Sequence, residues 1–274
     1  MRKSFSNSKK LLPVVTFAVM AAASGLAHAD SNACGDVSGK PHSNGGGFVA
    51  DTAYAAPTAF IAKTAFVCTK GKVLENGKLY DRAIVDEERI VSGEAEIYGN
   101  AVVQGQGHVF GGAKVFGISF VQGKAKVYGE AKLFGSVLVE GEGVQISGQS
   151  TIAGNAHVSG NAKVYGEPII FDHADVSGNA IVSDTRPQIA LYHNTKVGGN
   201  AKVSGNAKII SGGSIWDWAV VSGSAEVASE STVGCNSKVD GNAKVYNGSN
   251  VSGTAHVTGN AGLSGDSVFT GIED

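Results

Sequence analysis

Seven histidines, three cysteines and a scatter of carboxylates are the groups through which this chain of 274 residues could do chemistry. His108, His157 and His256 each stand immediately before a valine. In a strand that slot faces away from the valine, so these three read as solvated face residues. Asp172, His173 and Asp175 precede a stretch carrying Asp184, Arg186, Pro187, Tyr192 and His193. A polar or metal pocket from Asp172, His173 and His193, with Arg186 and Tyr192 nearby, is the sharp reading of that segment; a surface loop is the plain one. A zinc centre needs three or four converging ligands, and no close spacing of His and Cys supplies them. No metal and no cofactor is therefore expected. Cys34 and Cys68 form a candidate disulfide that leaves Cys235 over. Three free thiols are the alternative, and a lipid-anchored Cys34 is a third.

Aromatic residues show a regular spacing of another kind. Tyr80, Tyr98, Phe116 and Phe134 are eighteen apart, and Phe171 joins them once a one-residue insertion is allowed for. Phe110, Tyr128 and Tyr165 obey the same rule, and Val102, Phe120 and Leu138 form a third, apolar set. Rings repeated at that interval can brace one another, bury against a second subunit, or stack on the sugar rings of a polysaccharide. All three readings stay open.

The elements that carry them follow from a repeat. Val, Ile or Leu recurs at every sixth position from Val49, with Ala55 in one gap, through Val85, Val103 and Val121 to Val139. The insertion resets the phase to Ile146, which runs to Val182, and the period resumes at Val197 and continues to Leu263. Alanine often stands two before the key residue, as in Ala162-Lys163-Val164. Positions two apart in a strand share a face, so Ala and Val point inward together. A Gly-Asn pair then follows, and both residues tolerate the positive φ of a corner. Each hexapeptide is a short strand plus a turn. Period six does not match 3.6 residues per helical turn. Such a strand buries its apolar face only by stacking on copies of itself. Three hexapeptides per coil account for the spacing of eighteen. The expected fold is all-β, a single-stranded parallel β-helix (β-solenoid).

The motif V-S-G-N-A-K at 158–163 and again at 203–208 resembles the consensus of the hexapeptide-repeat superfamily of left-handed parallel β-helices, and its GNA-x-V style is similar to a poorly characterised bacterial branch of it. Left-handed coiling is what the resemblance implies. The best-known members are acyltransferases related to the lipid A acyltransferases. Those are typically trimers with a catalytic His at the subunit boundary, fed by coenzyme A or acyl carrier protein, and no position here matches that His. The γ-class carbonic anhydrases share the fold but hold zinc with an H-x4-H pair, which this chain lacks.

Residues 1–29 read as a signal peptide. Arg2, Lys3, Lys9 and Lys10 precede an apolar run over 11–26 and the A-x-A site Ala27-His28-Ala29. Cleavage after Ala29 would send the chain to the periplasm or outside the cell. Residues 30–47 read as a flexible lead-in or cap, 48–264 as the solenoid interrupted at 183–196, and 265–274 as a C-terminal cap or tail. A net charge of −2 and 17% charged residues offer no basic face for nucleic acid. No segment after the leader is long and apolar enough to be a transmembrane span. The expected function is an exported, non-enzymatic scaffold, structural or binding, whose partners are further copies of itself in a homo-oligomer (a trimer) or an extracellular polysaccharide. Two other readings stand beside it: a polysaccharide-binding or adhesive surface protein using the aromatic columns, and an acyltransferase-like enzyme.

Overall fold

A computed structural model describes residues 33–184 and 194–271. Residues 1–32, among them the expected signal peptide, and Arg186, Tyr192 and His193 lie outside the described residues. The described chain is a parallel β-solenoid of about twelve coils, its strands gathered into three sheets of 13, 12 and 12 strands. Every third strand is a neighbour: Val102 pairs with Phe120 and Val103 with Val121, so one coil is eighteen residues. We call the sheet through Val102–Val103 the first face, that through His108–Val109 the second, and that through Lys114–Val115 the third. Twelve rungs at ~4.8 Å make a rod about 55–60 Å long.

Most strands are two residues long and would be worthless alone. They persist because the corners are bonded between coils as well. Gln106 N donates to Gly123 O at 2.8 Å and Asn100 N to Gly117 O at 2.8 Å, so the backbone donors of turns and strands alike find the next coil. The corner residue two after most key valines takes positive φ. At Gly160 it is +71°, and a Cβ there would come 2.9 Å from Gly178 O in the next coil, so glycine suits both the dihedral and the stacking.

The interior is a column of key residues and alanines, with serine in several of the alanine slots and Arg89 in one. Its walls differ. The first face presents valine in every coil, from Val49 and Val67 to Val239 and Val257, whereas the third face carries the bulkier Ile61, Leu79, Ile97, Leu133, Ile152, Ile170 and Ile215.

Three segments take a more definite form in the structure than in the sequence. Residues 33–47 form a bonded cap: Gly39–Pro41 pairs antiparallel with Phe48–Ala50, Ile61 N donates to Asn44 O at 3.0 Å, and Cys34 is disulfide-bonded to Cys68. The interruption is narrower than 183–196. The strand Ile181–Asp184 runs on, and Thr195 already fills a fully buried inward slot. Asp184 Oδ2 accepts from Thr195 N at 2.9 Å and Thr195 Oγ1 donates to Ser183 O at 2.9 Å, a clamp that returns the chain to phase. Finally, the solenoid continues past 264. Val268–Thr270 pairs in parallel with Asn250–Ser252, because Phe269, six after Leu263, stands where an aliphatic key residue usually does.

Candidate binding surfaces

The register places residue i beneath residue i+18, and this turns the aromatic spacing into ladders. On the third face, just before the corner that leads to the first, Tyr80 stacks on Tyr98 with centroids 4.8 Å apart and planes 7° apart. Tyr98 meets Phe116 edge-on at 6.3 Å, and Phe116 stacks on Phe134 at 5.1 Å. Phe60 leans on Tyr80 from below. These rings spend their faces on one another and offer mainly edges to solvent. Phe171 shares the column but is cut off from Phe134 by Ala153; it leans instead over Gly198. On the second face Phe110 stacks on Tyr128 at 4.9 Å and 5°, while Ser147 separates Tyr128 from Tyr165.

A charged strip borders the first ladder. Glu96 lies between Lys78 at 3.3 Å and Lys114 at 2.9 Å, and the Tyr98 hydroxyl donates to its carboxylate. Burial works to raise the Glu96 pKa, but the hydrogen bonds from Tyr98, Lys114 and Lys78 outweigh it and hold the group at about 2. Burial and the same carboxylate push the Tyr98 hydroxyl well above its ordinary value.

The first face carries a longer apolar stripe than Val102, Phe120 and Leu138 suggested. Phe48, Phe66 and Ile84 continue it downward in register, and all six side chains are half-buried. Stepping back by eighteen from Val102 finds these three in the sequence. The stripe ends where His157, Asp175 and Lys202 succeed Leu138. Beside it runs a polar ladder. Gln104 Nε2 donates to Gln122 Oε1 at 3.0 Å, and Gln122 Nε2 to Glu140 Oε2 at 2.7 Å. His157 joins it, 3.1 Å from Glu140 and 3.8 Å from Asp175.

The histidines are less free than their sequence slots implied. His108 Nε2 is 2.7 Å from Ser92 Oγ and its ring lies against Phe110; burial, aided by Lys126, lowers its pKa. His256 contacts Asp240 at 3.1 Å. Asp172 and His173 sit at the corner between third and first faces. There the Asp172 carboxylate accepts from Gly199 N at 3.2 Å, and His173 meets Asn155 at 3.2 Å. Asp184 and Asn194, the described residues on either side of the stretch that holds Arg186, Tyr192 and His193, lie at a different corner, between second and third faces. Among the described residues no group of three or more His, Cys, Asp or Glu is placed to hold a metal ion, and no helix is long and apolar enough to cross a membrane.

Sequence reasoning passed over Trp216 and Trp218, which occupy the third face and its corner; Trp216 falls one residue after Ile215, in the ladder column itself. No protein-family model matches this chain, and no curated protein matches it.

Proposed function

We propose that this chain is an exported, non-enzymatic scaffold that associates laterally with further copies of itself through the apolar stripe of the first face. One observation carries the reading: Phe48, Phe66, Ile84, Val102, Phe120 and Leu138 stand in register, half-exposed, over six consecutive rungs. Six rungs extend about 24 Å, and contiguous apolar surface of that kind is uncommon on monomers. Ile118, 55% exposed at the adjoining corner, widens it between Phe116 and Phe120.

Export is supported by the basic and apolar leader with its A-x-A site and by the Cys34–Cys68 bond, which suits an oxidising compartment. Membership of the hexapeptide-repeat superfamily, with its left-handed coil and trimeric habit, is part of the same proposal and rests on the repeat motif. The non-enzymatic reading rests on the sequence, in which no position matches the catalytic His of the acyltransferases.

Light scattering of the exported chain after size exclusion tests this. An oligomer is expected, with Phe120→Glu shifting it to monomer and Tyr128→Ser leaving it intact. A strictly monomeric wild-type chain overturns it.

A further inference from the structure

Both tryptophans of the chain lie in one coil. Trp216 follows the buried Ile215, and Trp218, at the corner between third and first faces, is 63% exposed. Their backbone is fixed. Trp216 N donates to Val233 O at 2.9 Å and Trp218 N to Cys235 O at 3.0 Å. Asp217 between them turns with φ +58°, and its Oδ2 accepts from Cys235 N at 3.2 Å.

The pair differs from the ladders. Trp216 is flanked in its column by Gly198 and Gly234. Phe171 reaches across Gly198 to meet Trp216 edge-on, centroids 5.4 Å apart at 72°. On the opposite flank a Cβ at Gly234 would have no heavy atom within 4 Å. Among the described residues no ring stacks on Trp218. An indole face is thus left open where Tyr98 and Phe116 have theirs covered.

The surroundings decide what such a face suits. In Trp218's corner column Asn200 lies one rung below and Asn236 one rung above, and across the corner stand Lys202, Val220 and Lys238. An apolar partner surface or a lipid tail would need more contiguous apolar area than Trp216 and Val220 add, and Asn200, Asn236, Lys202 and Lys238 border it. A pyranose ring presents an apolar C–H face rimmed with hydroxyls. Stacked on an indole it leaves those hydroxyls within the zone of side-chain amides that both donate and accept. On the first-face side Lys202 and Lys238 are offset by Asp240, 2.8 Å from Lys238, and Asp217 stands on the third-face side, so the site has no dominant sign, which favours an uncharged sugar.

We propose that Trp218, with Trp216 two residues before it in the same coil and Asn200 and Asn236 on the flanking rungs, is a binding platform for a neutral glycan. It is separate from the apolar stripe, and its failure leaves the proposal of lateral association untouched.

Because every indole of the chain belongs to the site, tryptophan emission of the exported protein reports on it directly. Titration with cellohexaose, maltohexaose and chitohexaose is expected to give a saturable emission change with at least one. Calorimetry with that sugar should show at least a tenfold weaker affinity for Trp218→Ala and an unchanged one for Phe120→Ser, with both variants keeping the wild-type circular dichroism spectrum. No saturable change with any of the three sugars overturns the proposal, and so does wild-type affinity in Trp218→Ala.

Discussion

The guanidinium of Arg89 fills the space that a Cβ on Gly107 would take. Arg89 stands two before Val91, in a slot that alanine usually occupies, and it is fully buried. Its side chain climbs past Gly107 in the next coil and donates to Val121 O and Gly123 O at 3.1 Å and to Ala125 O at 3.3 Å, and also to Gln104 O. Its Nε has no partner. Gly107→Ala should therefore force out a buried cation rather than fill a gap. The expected loss is about 1–3 kcal/mol or more, read from urea unfolding. The pair Arg89→Ala with Gly107→Ala restores the ordinary slot and should recover much of it, a coupling measurable in a double-mutant cycle.

Burial lowers the Arg89 pKa to about 10. Below that pH folded and unfolded chains both carry the proton and the desolvation cost is present in full. Above about 10 the folded chain binds fewer protons than the unfolded one, so stability rises with pH. Val121 O, Gly123 O and Ala125 O already accept backbone N–H groups from the preceding coil, so Arg89→Met leaves them satisfied. The variant should be more stable than wild type at pH 8, by roughly 1–4 kcal/mol if it behaves as other buried charges do. The difference should shrink at pH 11. A variant less stable at both pH values would show that the guanidinium holds the coils together.

Glu96 works in the opposite sense. Its carboxyl is held at about 2 in the fold, so its bonds to Tyr98, Lys114 and Lys78 act in full above the ordinary carboxylate range and fade as pH falls through that range towards 2. Glu96→Gln should lower the melting midpoint at pH 7, by the equivalent of roughly 1 kcal/mol. The two proteins should converge by about pH 2–3. A gap that stays constant across the titration would contradict this.

The Cys34–Cys68 bond spans a sequence separation of 34 and ties the cap to the second rung of the first face. Closing a loop of that size contributes about 3–4 kcal/mol in the chain-entropy account. Reduction, or Cys68→Ser, is expected to loosen the cap and open the Gly47–Phe48 bond to thermolysin, while cleavage elsewhere in the solenoid stays unchanged. Equal cleavage at Gly47–Phe48 in oxidised and reduced protein would show that the strand Gly39–Pro41 holds the cap without the bond.

The coil was legible because it follows from local rules. A residue type recurring every sixth position states which side chains face inward, and the spacing of Tyr80, Tyr98, Phe116 and Phe134 states how many hexapeptides close a coil. The same arithmetic contained Phe48, Phe66 and Ile84, but they emerge as one stripe only when the first face is separated from the other two. Phe269 breaks the pattern because an aromatic stands where the period is otherwise aliphatic, and Thr195 because a buried hydroxyl carries no hydrophobic signal.

The inward column, the corners and the period are set by local pattern, since each depends on residues within a few positions of one another. How neighbours in space use their surfaces is settled by the stacking of coils. Ring faces in the ladders are covered by the rings eighteen residues away, Trp218 keeps its face because no ring stacks on it, and Arg89 enters the core because Gly107 makes room. Those outcomes depend on what the next coil places opposite, and only the stacked coils fix that.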